Sequence, residues 1–390
     1  MRLSLGIGLG LTKHDLPPFW EIDFTGRAAG YSTTAPSGLL YSRASCGDSV
    51  QTGTSTAVIC PTQADLMKFG RANDAWDAGL LIEGPCTNEV PNPRNLAAAS
   101  WLIPPTSLDA AQPNPFGTSG GSYRIAISGT SVFREVAYSA GTSTAWTQSQ
   151  WVLGAAPNAN LVANGATQRF GTTAGSVGAW GRIAVSGSVP LGSSIANVVD
   201  ARDQTASGGL TAGARDVYVD AVQREARAYA TSFVPSGTRN GALLQLPALT
   251  RGSGRISLDL RLRPMGARTA YSATTYLWYV DASNYAAFVP STGVLTIAIG
   301  GATNTVTLPA WAQYDLLDLY VGAGGGVATL VKYRLNGGAT VTLVVTGSAL
   351  GAMAATTTTL LSQSASAGHL DAWLYRARVW RPGLTPAWAA

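Results

Sequence analysis

Charge is what this chain has least of. Asp, Glu, Lys and Arg make up 12% of its 390 residues, about half of what a soluble domain ordinarily carries. Lysine occurs only at Lys13, Lys68 and Lys332, and no long Glu/Lys stretch exists. Exposed helix faces are built from such residues, so their scarcity argues for β structure with a neutral, hydroxyl-rich surface. Cysteine is scarce too: Cys46, Cys60 and Cys86 lack C-x-x-C spacing, and the only histidines, His14 and His369, lie far from them and from each other. That argues against a structural zinc site. A Cys46 to Cys60 disulfide stays open, although so few cysteines fit a chain folded in a reducing cytoplasm. No run of 18 apolar residues is present, so no membrane insertion is expected. The D-x-[DN]-x-[DN]-G calcium pattern is missing as well, and no cofactor or metal is expected.

The net charge of +5 comes from arginines that are scattered among apolar residues. Without a basic run, no nucleic-acid partner is expected. The nearest thing to a stripe is "RISLDLRLR", residues 255 to 263, in which Ile256, Leu258, Leu260 and Leu262 oppose Ser257, Asp259, Arg261 and Arg263. That is the pattern of a half-buried strand.

What the chain does have is glycine, serine and threonine between short alternating runs, in a length that suits two or three domains. The first run is "MRLSLGIGLGL". Its glycines and the absence of a cleavage site argue against a signal peptide, and the G-x-G-x-G spacing lies within the apolar run instead of after it, which argues against a dinucleotide loop. Leu3, Leu5, Ile7, Leu9 and Leu11 share one face of a strand whose other face is nearly bare. Two readings stand for it: a docking strand that adds to a partner's sheet, or the first strand of the chain's own fold. Residues 21–91 read as an irregular anchoring section, with one short helix expected after Pro61 and ended by Gly70. From 92 to 236 short runs such as "SYRIAISG", "WGRIAVSG" and "RDVYVDAVQRE" predict a first antiparallel sandwich, the last of them with one wet face. Residues 237–390 predict a second sandwich, with hairpin turns at Asp281–Asn284, Gly300–Gly301 and Asn336–Gly338. Between the anchoring section and the first sandwich, the Pro/Asn-rich segment from Gly84 to Leu96 reads as a stiff connector.

The ordered phrases "IDFTG" (22 to 26), "YSRAS" (41 to 45), "MKFGRANDAWDAGLLIE" (67 to 83), "TNEVPNPRNL" (87 to 96), "WGRIAV" (180 to 185) and "VQREARAYATSFVPS" (222 to 236) resemble tail-fibre and virion-surface proteins of tailed bacteriophages and prophages. In that group Gly-Leu-Leu-Ile-Glu and Thr-Asn lead into a jelly roll like a carbohydrate-binding module, closed by a phrase like Ala-Thr-Ser-Tyr-Ile-Pro. Here Phe233-Val234 replaces the aromatic and aliphatic pair. The remainder is similar to concanavalin A-like or laminin-G-like sandwiches, through "GRISLDLRLRP" and "LDAWLYRARVWRPGLTP". The three cysteines are not part of the pattern. The resemblance implies a virion location, assembly in the host cytoplasm before release, contact with other virion proteins through the amino-terminal section, and a homo-oligomer, often a trimer, that meets a host-surface glycan.

Sugar recognition needs aromatic faces flanked by amides and carboxylates, because pyranose C–H faces pack on rings while hydroxyls need paired donors and acceptors. "YLWYVDASNY" supplies Trp278, Tyr279, Asp281, Asn284 and Tyr285 around a hairpin, and these are the candidate ligand residues. Alternation puts Trp278 and Val280 on one face and Leu277 and Tyr279 on the other. The ordinary structural reading, rings packing a core, stands beside ligand contact here and for Trp101, Trp146, Trp151 and Trp180. Glycan hydrolysis requires two opposed carboxylates; Asp216 with Asp220 and Asp315 with Asp318 look like strand-surface positions. His369, beside Asp371, has no G-x-S-x-G serine to serve and reads as a polar residue at a strand entrance. The expectation is an all-β, non-enzymatic attachment protein. A capsid decoration, head fibre or baseplate part with purely architectural contacts is the alternative, and a glycan depolymerase the third.

Overall fold

The computed structural model describes residues 20–23, 30–32, 40–42, 67–70, 79–90 and 93–96, the strands and some adjoining residues from 107 to 211, 215–234, 237–246, and 254–389 apart from 355 and 381–383. Leu3, Leu5, Ile7, Leu9 and Leu11 lie outside these, as do His14, Cys46, Cys60 and Trp101. The described residues form an all-β molecule of antiparallel sheets, with two short 3-10 turns at Arg268–Ala270 and Ala387–Ala389.

The larger sandwich has a nine-stranded and a seven-stranded sheet. In the first, Arg255–Pro264 lies between Leu317–Gly324 and Ala372–Val379. Its alternating side chains Ile256, Leu258, Leu260 and Leu262 enter the core, each burial stabilising by about 1.5–3 kcal/mol. The opposing sheet supplies Leu244, Leu246, Trp278, Phe288, Leu295, Ile297 and Leu360 to the same core.

The polar face of Arg255–Pro264 is drier than its alternation predicts. Asp259 and Asp318 are fully buried there, with arginines from three strands around them: Arg334 donates twice to Asp318 Oδ2, at 3.0 and 2.8 Å, and Arg376 reaches Asp259 at 3.6 Å. The end of the chain closes over this face. Tyr320 Oη donates to the Leu384 carbonyl at 3.1 Å, Lys332 Nζ to the Ala389 carbonyl at 2.6 Å, and Trp388 Nε1 to Asp259 at 3.2 Å. Asp318 is therefore no surface residue, and neither is Asp220, which holds a two-pronged pair with Arg94 at 3.0 Å. Charge alone made both look solvated; cover supplied from elsewhere in the chain decides otherwise.

The described amino-terminal strands pair into the two sheets of the larger sandwich. Trp20–Asp23 and Gly79–Ile82 both pair with Ala372–Val379, Met67–Gly70 joins Gly79–Ile82 to Gly30–Ser32, and Leu40–Ser42 is the edge of the seven-stranded sheet. Met67–Gly70 is a strand where the sequence suggested a helix up to Gly70. Leu80, Leu81 and Ile82 are fully buried, and a neighbouring sheet edge stabilises them more than local helix propensity stabilises a turn of this composition.

The smaller unit is thus an insertion. It contains a five-stranded sheet centred on Ala145–Gly154 and Arg215–Glu225 and a four-stranded sheet that includes Asn158–Ala163 and Ile195–Asp200. Trp151, Trp180 and Phe233 share one of its apolar clusters, and Trp146 is buried as well. Arg215–Glu225 keeps no wet face from Val219 onward, since Asp220 and Gln223 to Glu225 are as buried as Val219 and Val222.

Candidate functional site

The chain leaves the larger sandwich after Gly79–Ile82 and returns to it at Leu243–Leu246. Between these points Cys86–Asn88 pairs with Gly237–Arg239, so the outgoing and returning segments form a two-stranded stem. Residues from three of the phrases quoted above, Glu83, Asn88 and the segment from Val222 to Val234, meet at this joint. Glu83, fully buried, accepts the Ser232 amide and hydroxyl, each at 2.7 Å, and faces Arg239 at 3.3 Å. Asn88 donates to the carbonyls of Val222 and Val234 at 3.2 and 2.8 Å, and accepts the amides of Val90 and Arg224. Glu225 accepts the Thr231 amide and hydroxyl at 2.8 and 2.7 Å. The Cys86 thiol donates to Glu225 at 3.0 Å, and burial, with Glu225 adding to it, pushes its pKa up to about 12. A strand ladder and hydrogen-bonded buried polar groups act beside proline to stiffen this segment.

One side of the joint opens into a cavity of about 330 Å³. Its walls are 84–85, Ala226, Arg227 and Tyr229 from the stem side, and 270–275, 366–369 and Asp371 from the larger sandwich. Among the described residues, Asp371 is the only carboxylate in the wall. Its Oδ1 accepts the Gly84 amide at 2.6 Å, and its Oδ2 accepts Arg227 and Tyr229, each at 2.7 Å. Burial works against the charge of Arg227, but Asp371 together with Tyr229, Cys86 and Glu225 outweighs it and holds the guanidinium well above its ordinary pKa. Burial raises Tyr229 and Tyr271, the nearby Asp371 reinforcing both, so these phenols stay protonated. The wall is therefore polar and neutral in sum. His369 also lines it and is 8% exposed. Neither ring nitrogen makes a well-directed hydrogen bond, although the carbonyls of Ser364 and Ala365 lie near enough to favour the proton; burial prevails and lowers its pKa. A Cβ on Gly241 would lie 2.4 Å from His369 Nε2, so the ring requires glycine there.

Beside the cavity lies an aromatic face. In Thr275–Asp281 the pairing with Asn284–Val289 slips between Tyr276 and Trp278, a bulge in which Leu277 is the extra residue. Two consecutive side chains, Leu277 and Trp278, then both enter the core, with Trp278 fully buried. Strict alternation cannot show this, and it removes Trp278 from any ligand-facing role. The same slip puts Tyr276 and Tyr279 on the outer face together. Tyr279 stands opposite Tyr285 in register, and the Tyr276 ring meets Tyr279 at 5.4 Å and Tyr285 at 6.0 Å, edge-on in both cases. Tyr276, which the sequence reading passed over, is the centre of the trio. An aromatic three residues before Tyr279 was its only trace.

Asp281 and Asn284 serve the turn. Asp281 Oδ1 accepts the Ser283 amide at 2.8 Å and the Asn284 side-chain amide at 2.9 Å, and Asn284 Oδ1 accepts the Gly300 amide at 3.1 Å, tying two hairpin tips together. The trio and the cavity adjoin at Gly368, whose carbonyl accepts the Tyr276 amide at 3.0 Å. A Cβ there would lie 2.5 Å from the Tyr276 ring, and the φ of +71° is one that L side chains rarely adopt.

No family model matches this chain, and no curated protein matches it either. Among the described residues no group of three or more His, Cys, Asp or Glu is placed to hold a metal ion.

Proposed function

We propose that this is a non-enzymatic structural protein of a phage virion surface, of tail-fibre or spike type, that attaches to host-surface glycans through the tyrosine face of its larger sandwich. The observation that carries the reading is the trio Tyr276, Tyr279 and Tyr285, half-buried on one sheet face beside a neutral polar cavity. Rings held edge to edge present apolar faces to sugar C–H groups, while their hydroxyls and the cavity wall supply donors and acceptors. The phrase-level resemblance supports the virion setting, a homo-oligomeric state that is trimeric in much of that group, and contact with other virion proteins through the amino-terminal section.

Binding is favoured over hydrolysis by the state of Asp371. A glycosidase needs two opposed carboxylates, one free to give a proton, and the single carboxylate of this cavity accepts three donors. The test is glycan-array binding by the full chain, compared with Tyr279→Ala and Tyr285→Ala. Bound glycans whose signal falls about tenfold or more in the variants support the reading, a change of about 1.4 kcal/mol. Absence of binding by the wild type, with the sandwich loops in contact with virion neighbours, would favour the architectural alternative. Release of reducing sugar would establish the depolymerase.

A further inference from the structure

The tyrosine face alone would hold any pyranose; selection requires a place where hydroxyls are matched one by one. We infer that the joint cavity is that place, a subsite for one uncharged sugar residue of a glycan that lies across Tyr276, Tyr279 and Tyr285. The inference rests on the glycan-binding reading and deepens it.

Three observations lead there. The first is size: about 330 Å³ is at the lower end of small-molecule pockets, which run from about 300 to 1,000 Å³, and suits a single ring better than a buried oligosaccharide. The second is charge. The wall's ionic pair, Arg227 and Asp371, is satisfied within the wall, Asp371 by Gly84, Arg227 and Tyr229, and Arg227 also by the Pro85 carbonyl at 2.5 Å. An anionic or cationic ligand would have to disrupt this pair, whereas a neutral polyol would not. The third is contiguity. Ser272 and Thr274 on one rim and Ser366 on the other put hydroxyl groups around the opening, and Gly368 joins that rim directly to the ring of Tyr276. A chain packed on the tyrosines can thus place its next residue in the cavity.

The test uses the full-length chain and saturation-transfer NMR with free glucose, galactose, mannose and N-acetylglucosamine, and with glucuronic acid and glucose 6-phosphate as charged comparators. Thr274→Trp fills the opening from an exposed loop and should leave the fold intact. The expected result is transfer to at least one neutral sugar and about tenfold weaker binding of that sugar in Thr274→Trp, whereas Tyr279→Ala weakens oligosaccharides more than the free sugar. Ser366→Trp, from the opposite rim, should repeat the Thr274→Trp result and covers misfolding of the first variant. Oligosaccharide binding that depends on Tyr279 but is unchanged by both tryptophan variants would overturn the subsite and leave the tyrosine face standing. Preference for the charged comparators would overturn the ligand class, and no binding of any saccharide would overturn both readings.

Discussion

Replacing Asp259 by Asn isolates the effect of a charge kept inside a sheet face. Asp259 is fully buried, and burial pushes its pKa from the ordinary 3.8 up to about 6, despite the opposing pull of Arg376 and Arg378. The native state therefore holds this proton more tightly than the unfolded chain does. Between the two pKa values it binds more protons, so stability falls as pH rises through that window. With a tenfold change in proton affinity worth about 1.4 kcal/mol, the whole rise corresponds to about 3 kcal/mol. Asn cannot titrate, yet it keeps an oxygen for the Trp388 indole that now donates to Asp259 at 3.2 Å. Urea unfolding of both proteins, followed by tryptophan fluorescence from about pH 3 to about pH 7, gives the difference in unfolding free energy. Groups common to both proteins largely cancel from it. The variant should gain about 3 kcal/mol on the wild type between the acidic and the neutral end. A difference that stays flat, or that moves the other way, would refute the conclusion that dehydration of Asp259 outweighs its arginines.

His369 should act with the opposite sign. Burial lowers its pKa, so the unfolded chain takes up the proton first, and stability is lost as pH falls below about 6.5; His369→Gln should remove that loss in the same titration. At the joint, Glu83→Ala leaves the buried Arg239 charge without its carboxylate and should cost about 3 kcal/mol or more, while Glu83→Gln costs less; urea midpoints and protease cleavage of the stem measure both. Cys86, with its pKa raised to about 12, should resist alkylation in the native protein and react on unfolding, as read by peptide mass mapping.

The sequence by itself determined the class of structure. Two-residue alternation in "RISLDLRLR" fixes which side chains face inward, because backbone stereochemistry turns successive residues to opposite faces wherever a strand is regular. The scarcity of Lys and Glu removed helices for a similarly local reason. Asp281–Asn284 was legible as a turn from its own residues, and Trp146, Trp151 and Trp180 read as core for their size.

Tertiary structure alone decided the partners. Nothing local in "GLLIE" says that it will pair with Ala372–Val379 some 290 positions later in the chain, an approximate separation set by the closure of the whole sandwich. Nor does it say that Glu83 and Asn88 will knit a stem around an inserted unit. The bulge at Leu277 moved the aromatic face by one residue, sending Trp278 into the core and leaving Tyr276 on the outer face in its place. Asp220, Asp259 and Asp318 carry the same side chain as the exposed Asp281, and only the arginines and terminal segment folded over them make them interior. A strand's rhythm is encoded residue by residue, whereas its neighbours, its slips and its cover depend on surfaces brought together from distant parts of the chain.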